Sequence, residues 1–280
     1  MAAAREPGNR IPTFQGRVYV LSGGVLWSLG GVFIKSLHLH PLTIVFYRSL
    51  FAALFFLPCA GAGQRQARLS LLISALSYTA AVSTFVWANK LTTAANAIVL
   101  QSTAPIFVFL FARFLFGEPI ARNNLVALVT GMAGIGIIFG ASRALPDAPG
   151  VTIAILSGFL FAVYMLNLRF LQTISPAFLT WLNNLICCLV LFPFALSELA
   201  LSPAQAVALV AMGVVQLGIP YYLFSKGLEN ISLQEASLIV LIEPVLNPIW
   251  VAFAVGETPS SPTLAGGALI LFGLGYRYLQ

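Results

Sequence analysis

Ten stretches of this chain are each apolar enough and long enough to cross a lipid bilayer as a helix. A hydrocarbon core ~30 Å thick takes about 20 helical residues. Runs of that order lie at 18–36, 42–60, 70–90, 94–116, 122–142, 150–170, 177–197, 203–225, 233–255 and 261–279. Short pieces carrying Pro41, Gln64–Arg68, Pro119, Pro146–Gly150, Pro176, Pro203 and Ser260–Pro262 separate them, as helix breakers do. Composition excludes a water-soluble alternative. The chain is 59% hydrophobic and 8% charged, where a soluble domain runs near a quarter charged, and its mean hydropathy is +0.95. Folding this sequence in water would leave more apolar surface exposed than solvent tolerates.

The spans take up most of the chain, so no room remains for a soluble catalytic or nucleotide-binding domain. No G-x-x-x-x-G-K-[ST] loop occurs, which excludes ATP-driven pumping by this chain alone. The net charge of +6 comes from basic residues spread thinly between apolar runs, so no nucleic-acid partner is expected. The lipid bilayer is the expected partner. Cys59, Cys187 and Cys188 lie in or beside apolar runs; they form neither a disulfide framework nor a zinc spacing and are read as small buried hydrophobes. His38 and His40, two apart around Pro41, cannot share a helix face, so no metal or haem site is expected there. The first apolar run follows Arg5, Arg10 and Arg17 and lacks a small-residue cleavage site, so it is expected to be a span and not a cleaved signal.

Orientation follows from Lys and Arg. With ten spans both termini share one side. That side carries Arg5, Arg10, Arg17, Arg65, Arg68, Arg113, Arg122, Arg169, Lys226 and Arg277, against Lys35, Lys90 and Arg143 on the other. The bias makes the terminus-bearing side cytoplasmic and supports an even span count.

The chain also repeats itself. Ala97, Pro105, Gly117 and Glu118 recur as Ala236, Pro244, Gly256 and Glu257, each at an offset of 139, and Gly134 and Gly136 continue to Gly273 and Gly275. Upstream, Leu21-Ser22-Gly23 matches Leu156-Ser157-Gly158, Pro41 matches Pro176 and Pro58 matches Pro193, at an offset of 135. Constant offsets indicate two related units of five spans. Five is odd, so the copies must enter the membrane from opposite sides, the inverted-topology arrangement of many secondary transporters. The expected organisation is an all-α integral membrane protein with a tail over 1–17, a first five-helix repeat over 18–142 and a second over 150–279, around a central cavity.

The fourth and ninth spans read ANKLTTAANAIVLQSTAPIFVFLFARFLFGEPI and SKGLENISLQEASLIVLIEPVLNPIWVAFAVGETPS. Alanine-rich entry, a mid-span proline and a closing Gly-Glu resemble the EamA signature of the drug/metabolite transporter superfamily. Within it the chain resembles the YddG-type exporters of aromatic and other amino acids. The second copy departs from the first in having Thr258 where Pro119 follows the Gly-Glu. The resemblance implies ten helices, cytoplasmic termini, an inner (plasma) membrane location and export of small metabolites through a central cavity, with no cofactor.

In such a protein the residues costly to place in hydrocarbon are the candidates for binding and gating. Glu243 lies ~15 Å from either end of its span. Asn247 follows it one turn later, and Val240 precedes it on the same face. The repeat maps Val240, Glu243 and Asn247 onto Gln101, Ala104 and Val108, so Gln101 and Glu243 are expected to face one central space. Glu243 has two open roles: contact with substrate, or a hydrogen bond to a carbonyl freed by Pro244 or Pro248. Arg48, ~10 Å into its span, has three: snorkelling, receiving a carboxylate, or pairing with Glu243. Its repeat mate Asn183, followed by Asn184, suits either interhelical packing or a cavity wall, as does Gln216. Trp27, Tyr78 and Tyr164 lie deep enough to line a cavity; Tyr221 and Tyr222, with Trp87 and Trp181, are further stacking candidates, although Trp and Tyr near span ends belong to the interfacial belt. Gly23-Gly24 and Gly30-Gly31 permit close packing or bending of the first span.

The expected function is secondary export of amino acids, aromatic and other neutral, or similar small metabolites by alternating access, in a monomer that encloses its own cavity. The competing reading keeps the fold and changes the cargo to a purine, nucleotide-sugar or cationic drug, with proton antiport as the rival energetics. An intramembrane enzyme, the reading from another class, is not expected, since no H-E-x-x-H, G-x-S-x-G or intramembrane His occurs.

Overall fold

The structure, a computed structural model, describes residues 13–62, 68–140, 148–196, 198–255 and 261–279. Arg5, Arg10, Arg65, Arg143 and the Gly256-Glu257 of the second copy lie outside them. Every regular element among the described residues is helical. In chain order they are α1 (Thr13–Trp27), α2 (Gly30–Ser36), α3 (Pro41–Phe55), α4 (Arg68–Leu91), α5 (Ala94–Gln101), α6 (Ala104–Phe116), α7 (Arg122–Gly140), α8 (Ala148–Leu168), α9 (Pro176–Ala195), α10 (Pro203–Ala211), α11 (Ile219–Gly227), α12 (Leu233–Ile239), α13 (Glu243–Val255) and α14 (Ser261–Leu279).

Eight stretches among the described residues are long and apolar enough to cross a membrane, several of them built from two helices in line: Thr13–Ser36, Leu69–Leu91, Ala94–Phe116, Arg122–Gly140, Ala148–Leu171, Pro176–Ala195, Pro203–Gly227 and Leu233–Ala254. Two of the ten sequence-derived runs fall outside this set, each for a local reason. The run expected over 42–60 is helical only to Phe55 and then tightens into a 3₁₀ turn over Leu57–Ala62, because Pro58 cannot donate and disfavours helical backbone at the residue before it. The last run, α14, has the length, but its glycines and Arg277 dilute its apolarity.

Many large apolar side chains face outward, with Phe253 83% exposed, Phe114 79% and Phe14 71%, a surface suited to lipid and not to water. Inside, α1 packs on α11, α4 on α8, α3 on α9, α6 on α12 and α7 on α14. A large apolar core around Val20, Ile34, Met165 and Phe224 fills the bundle. A smaller one, with Phe109, Ile135, Leu241 and Ile270, sits between α6, α7, α14 and the α12–α13 stretch.

Four stretches break near their middles, and three of the breaks have a proline cause. A proline removes its own N–H and its ring clashes with the carbonyl four residues earlier. Pro105 therefore ends α5 at Gln101, and Pro244 ends α12 at Ile239 with a 3₁₀ turn over Val240–Ile242. These breaks sit at the positions the 139-residue offset relates. Pro220 follows a π-helical segment over Met212–Gly218 that joins α10 to α11. The break between α1 and α2 has no proline; its carbonyls are bonded by side chains instead, as described below. The Gly-Glu of the first copy also has a physical reason. Gly117 closes α6 at φ +65°, its N–H donating to the Ala112 and Arg113 carbonyls, a left-handed cap that glycine adopts without strain, and Glu118 then pairs with Arg169.

Candidate functional site

The breaks converge on a cavity in the middle of the bundle. It has two adjoining chambers, which share Gln101, Phe161 and Glu243 in their walls. Arg48, Gln216 and Trp27 border the first chamber; Ser102, Ser237 and Met165 border the second.

Glu243 opens α13 and is buried, and among the described residues its carboxylate makes no ion pair and no side-chain hydrogen bond. Arg48, from the middle of α3, is only 1% exposed, so it does not snorkel. Its Nη1 donates to Gln216 Oε1 at 3.4 Å and its Nη2 to the Val82 carbonyl at 3.5 Å, both long, and its Nε has no partner. No ion pair joins it to Glu243, although both line the first chamber. Gln216, presented by the π-helical segment, turns its Nε2 to the Trp27 carbonyl at 3.3 Å, satisfying one carbonyl at the α1–α2 break. The Trp27 ring lies edge-on to Tyr221 and Phe161 at centroid distances of 4.8 and 5.6 Å, and its Nε1 is buried without a partner. Gln101, the last residue of α5, donates from Nε2 to Ser157 Oγ at 2.8 Å, and Ser157 in turn donates to the Ala81 carbonyl at 3.1 Å.

Four of the sequence candidates do not line either chamber. Asn247 points to the α1–α2 break, where its Nδ2 donates to the Ser28 carbonyl at 2.9 Å, beside Trp250 Nε1 on Ser28 Oγ at 2.7 Å. Gly30 and Gly31 leave the room this needs: a Cβ at Gly30 would stand 2.6 Å from Gln216 Nε2, and one at Gly31 2.8 Å from Asn247 Nδ2. Tyr78 and Tyr164 are buried in an aromatic cluster around Tyr221, at 4.7 and 5.6 Å from it, with the Tyr78 hydroxyl donating to Asn184 Oδ1 at 2.8 Å. Asn183 is buried beside Tyr164 and makes no well-formed hydrogen bond. Sequence reasoning missed Phe161, which borders both chambers; an apolar ring in an apolar run gives no signal. Tyr221 and Gln216, named only as lesser candidates, both border the first chamber.

A second polar assembly lies at the arginine-rich end. Glu235, on the first turn of α12, is held between Arg17 Nε at 2.7 Å and Arg277 at 3.0 Å. Asn124 links Arg277 to Gln234. The assembly ties α1, α7, α12 and α14 together. A Ser-x-x-Glu signal marks it in the sequence, since Ser232 Oγ accepts from the Glu235 N–H at 3.1 Å and caps α12.

A bundle of apolar, broken helices around a polar-lined cavity has the anatomy of a multi-pass membrane transporter. Comparison with known proteins agrees. The EamA-like transporter family matches residues 15–140 and again 148–276, and the chain belongs to that family. An uncharacterized transporter of Archaeoglobus fulgidus is 28% identical over 261 residues, covering 92% of this chain and 94% of that one. The aromatic amino acid exporter YddG of Ancylobacter novellus is 24% identical over 193 residues, 66% of this chain and 67% of that one. A solved crystal structure at 20% identity shares the fold, with a TM-score of 0.78 over 94% of this chain and 96% of that one.

Proposed function

We propose that the protein is a secondary exporter of amino acids, aromatic and other neutral ones, working by alternating access across the inner (plasma) membrane. The observation that carries this reading is the mid-bundle cavity at which the broken helices meet, bordered by Glu243, Gln101 and Arg48. In this account all ten runs cross the membrane, with the termini and the arginine-rich end cytoplasmic, and residues 18–142 and 150–279 form two inverted five-helix repeats. Helix pairing supports the duplication. Exchanging each run for the one five later turns the pair α1–α11 into α8–α4, and maps α3–α9, α6–α12 and α7–α14 onto themselves. Two copies that can exchange conformations open a shared cavity to either side in turn.

A neutral amino acid carries one charge of each sign, so moving it transfers no net charge. When the cell holds the cargo in excess, export is downhill and needs no coupling ion. Glu243 is the single acid bordering the described cavity, without a second carboxylate to form a proton relay. Facilitated export is therefore the proposed mode. An unpaired carboxylate beside aromatic rings also suits a cation, which makes cationic drugs the rival cargo. Counterflow into proteoliposomes, screened across amino acids, purines and cationic drugs, tests the reading. Exchange of amino acids supports it, and exchange confined to purines or cations overturns it.

A further inference from the structure

We propose that Arg48 and the indole N–H of Trp27 form a carboxylate subsite in the first chamber, so that the cargo is selected for an anionic carboxylate rather than for its amine. The inference rests on the transport reading above and refines it. A guanidinium buried to 1% exposure in a membrane protein is costly unless an anion compensates it. Among the described residues none does: no carboxylate pairs with Arg48, its two hydrogen bonds are long, and its Nε is unpartnered. The indole N–H of Trp27, on the wall of the same chamber, is a second buried donor with no acceptor. Gln216 links the two residues, accepting from Arg48 through Oε1 and donating to the Trp27 backbone carbonyl through Nε2. Two unmet donors, one charged, on residues that border one cavity are the complement of a carboxylate, which accepts several hydrogen bonds and supplies the missing charge. Glu243 borders the same chamber, and the ammonium of a zwitterion would balance its charge.

The test uses the full chain in proteoliposomes with L-phenylalanine counterflow and three matched competitors. 3-Phenylpropanoate keeps the carboxylate and drops the ammonium; phenethylamine drops the carboxylate; phenylalaninol replaces it with a neutral hydroxymethyl group. The expected result is competition by 3-phenylpropanoate well above that of the other two. Arg48→Gln should raise the half-saturating phenylalanine concentration by about 10- to 100-fold, the scale of a charge-assisted hydrogen-bond pair, and erase the preference among competitors. Trp27→Phe keeps an aromatic ring and removes the donor. It should raise half-saturation by about 3- to 10-fold, and it carries the test if Arg48→Gln fails to fold. Phenethylamine competing as well as 3-phenylpropanoate in the unaltered protein overturns the subsite while leaving the transport reading standing. So does half-saturation unchanged in Trp27→Phe and in any folded Arg48→Gln. Movement of purines or cations but of no amino acid overturns both the subsite and the amino acid cargo. No exchange of any compound overturns the transport reading and the subsite with it.

Discussion

At the break between α5 and α6 a neighbouring helix approaches closely, and one methyl group tests that packing. Gly158, on α8, packs against the carbonyl of Gln101, the group that Pro105 deprives of its helical partner. A Cβ at position 158 would stand 2.8 Å from that oxygen and 3.1 Å from Thr103 Oγ1. The oxygen is backbone, so it cannot rotate away and the helices must part. Overpacking of this kind costs about 1–3 kcal/mol, against a gain of about 0.5–1 kcal/mol from replacing a helical glycine by alanine. The net loss of about 0–2.5 kcal/mol corresponds to a melting temperature lower by roughly 0–10 °C. Gly136, on α7, is the control: nothing lies within 4 Å of a Cβ there, so Gly136→Ala should gain about 0.5–1 kcal/mol and melt roughly 1–4 °C higher. Thermal unfolding of both variants in detergent, followed by tryptophan fluorescence, reads the difference directly. Gly158→Ala as stable as Gly136→Ala would refute the packing argument.

Other outcomes follow from the same geometry. Glu235→Gln should cost about 1–3 kcal/mol, less than a fully buried pair because Arg17 is 41% exposed; a melting curve matching the unaltered protein would show that the Arg17–Glu235–Arg277 assembly does not hold the helix ends. Asn247→Leu leaves the Ser28 carbonyl without its donor and should destabilise by about 1–3 kcal/mol, yet leave half-saturation by cargo within twofold, since Asn247 faces the helix break; a large rise in half-saturation with unchanged melting would place it in the cavity instead. Reporter fusions at Gln280 and within 143–149 should report opposite sides, cytoplasmic for Gln280. A periplasmic signal from the Gln280 fusion contradicts the topology.

Apolar length and proline position carried most of what was legible beforehand. A run of ~20 apolar residues becomes a helix in lipid, because only a helix satisfies the backbone there within a single segment. Pro105 and Pro244 gave the breaks, and the offset relating them brought Gln101 and Glu243 to one cavity. Composition did not reveal which side of a polar helix residue faces a partner. Asn247 shares a face of α13 with Glu243 by spacing, but sharing a face does not choose the partner: Glu243 borders the cavity, while Asn247, one turn on, meets the Ser28 carbonyl. Arg48 kept three readings because depth alone does not separate snorkelling from burial; the Gln216 contact does. That contact depends on the π-helical segment before Pro220, which no residue pattern announced. Pro58 and Pro193, repeat mates in sequence, behave differently: one lies beyond the end of α3, the other inside α9. Sequence symmetry thus fixes the plan of the two halves more closely than their local geometry.

Accumulation driven by a pH gradient in proteoliposomes, with and without Glu243→Gln, tests the central claim most directly. With equal L-phenylalanine inside and outside and an imposed pH difference, the facilitator account predicts that the internal concentration stays level, while counterflow of labelled phenylalanine continues. Concentrative uptake that follows the pH difference and disappears in Glu243→Gln would contradict it, and would make Glu243 the proton carrier of an antiporter.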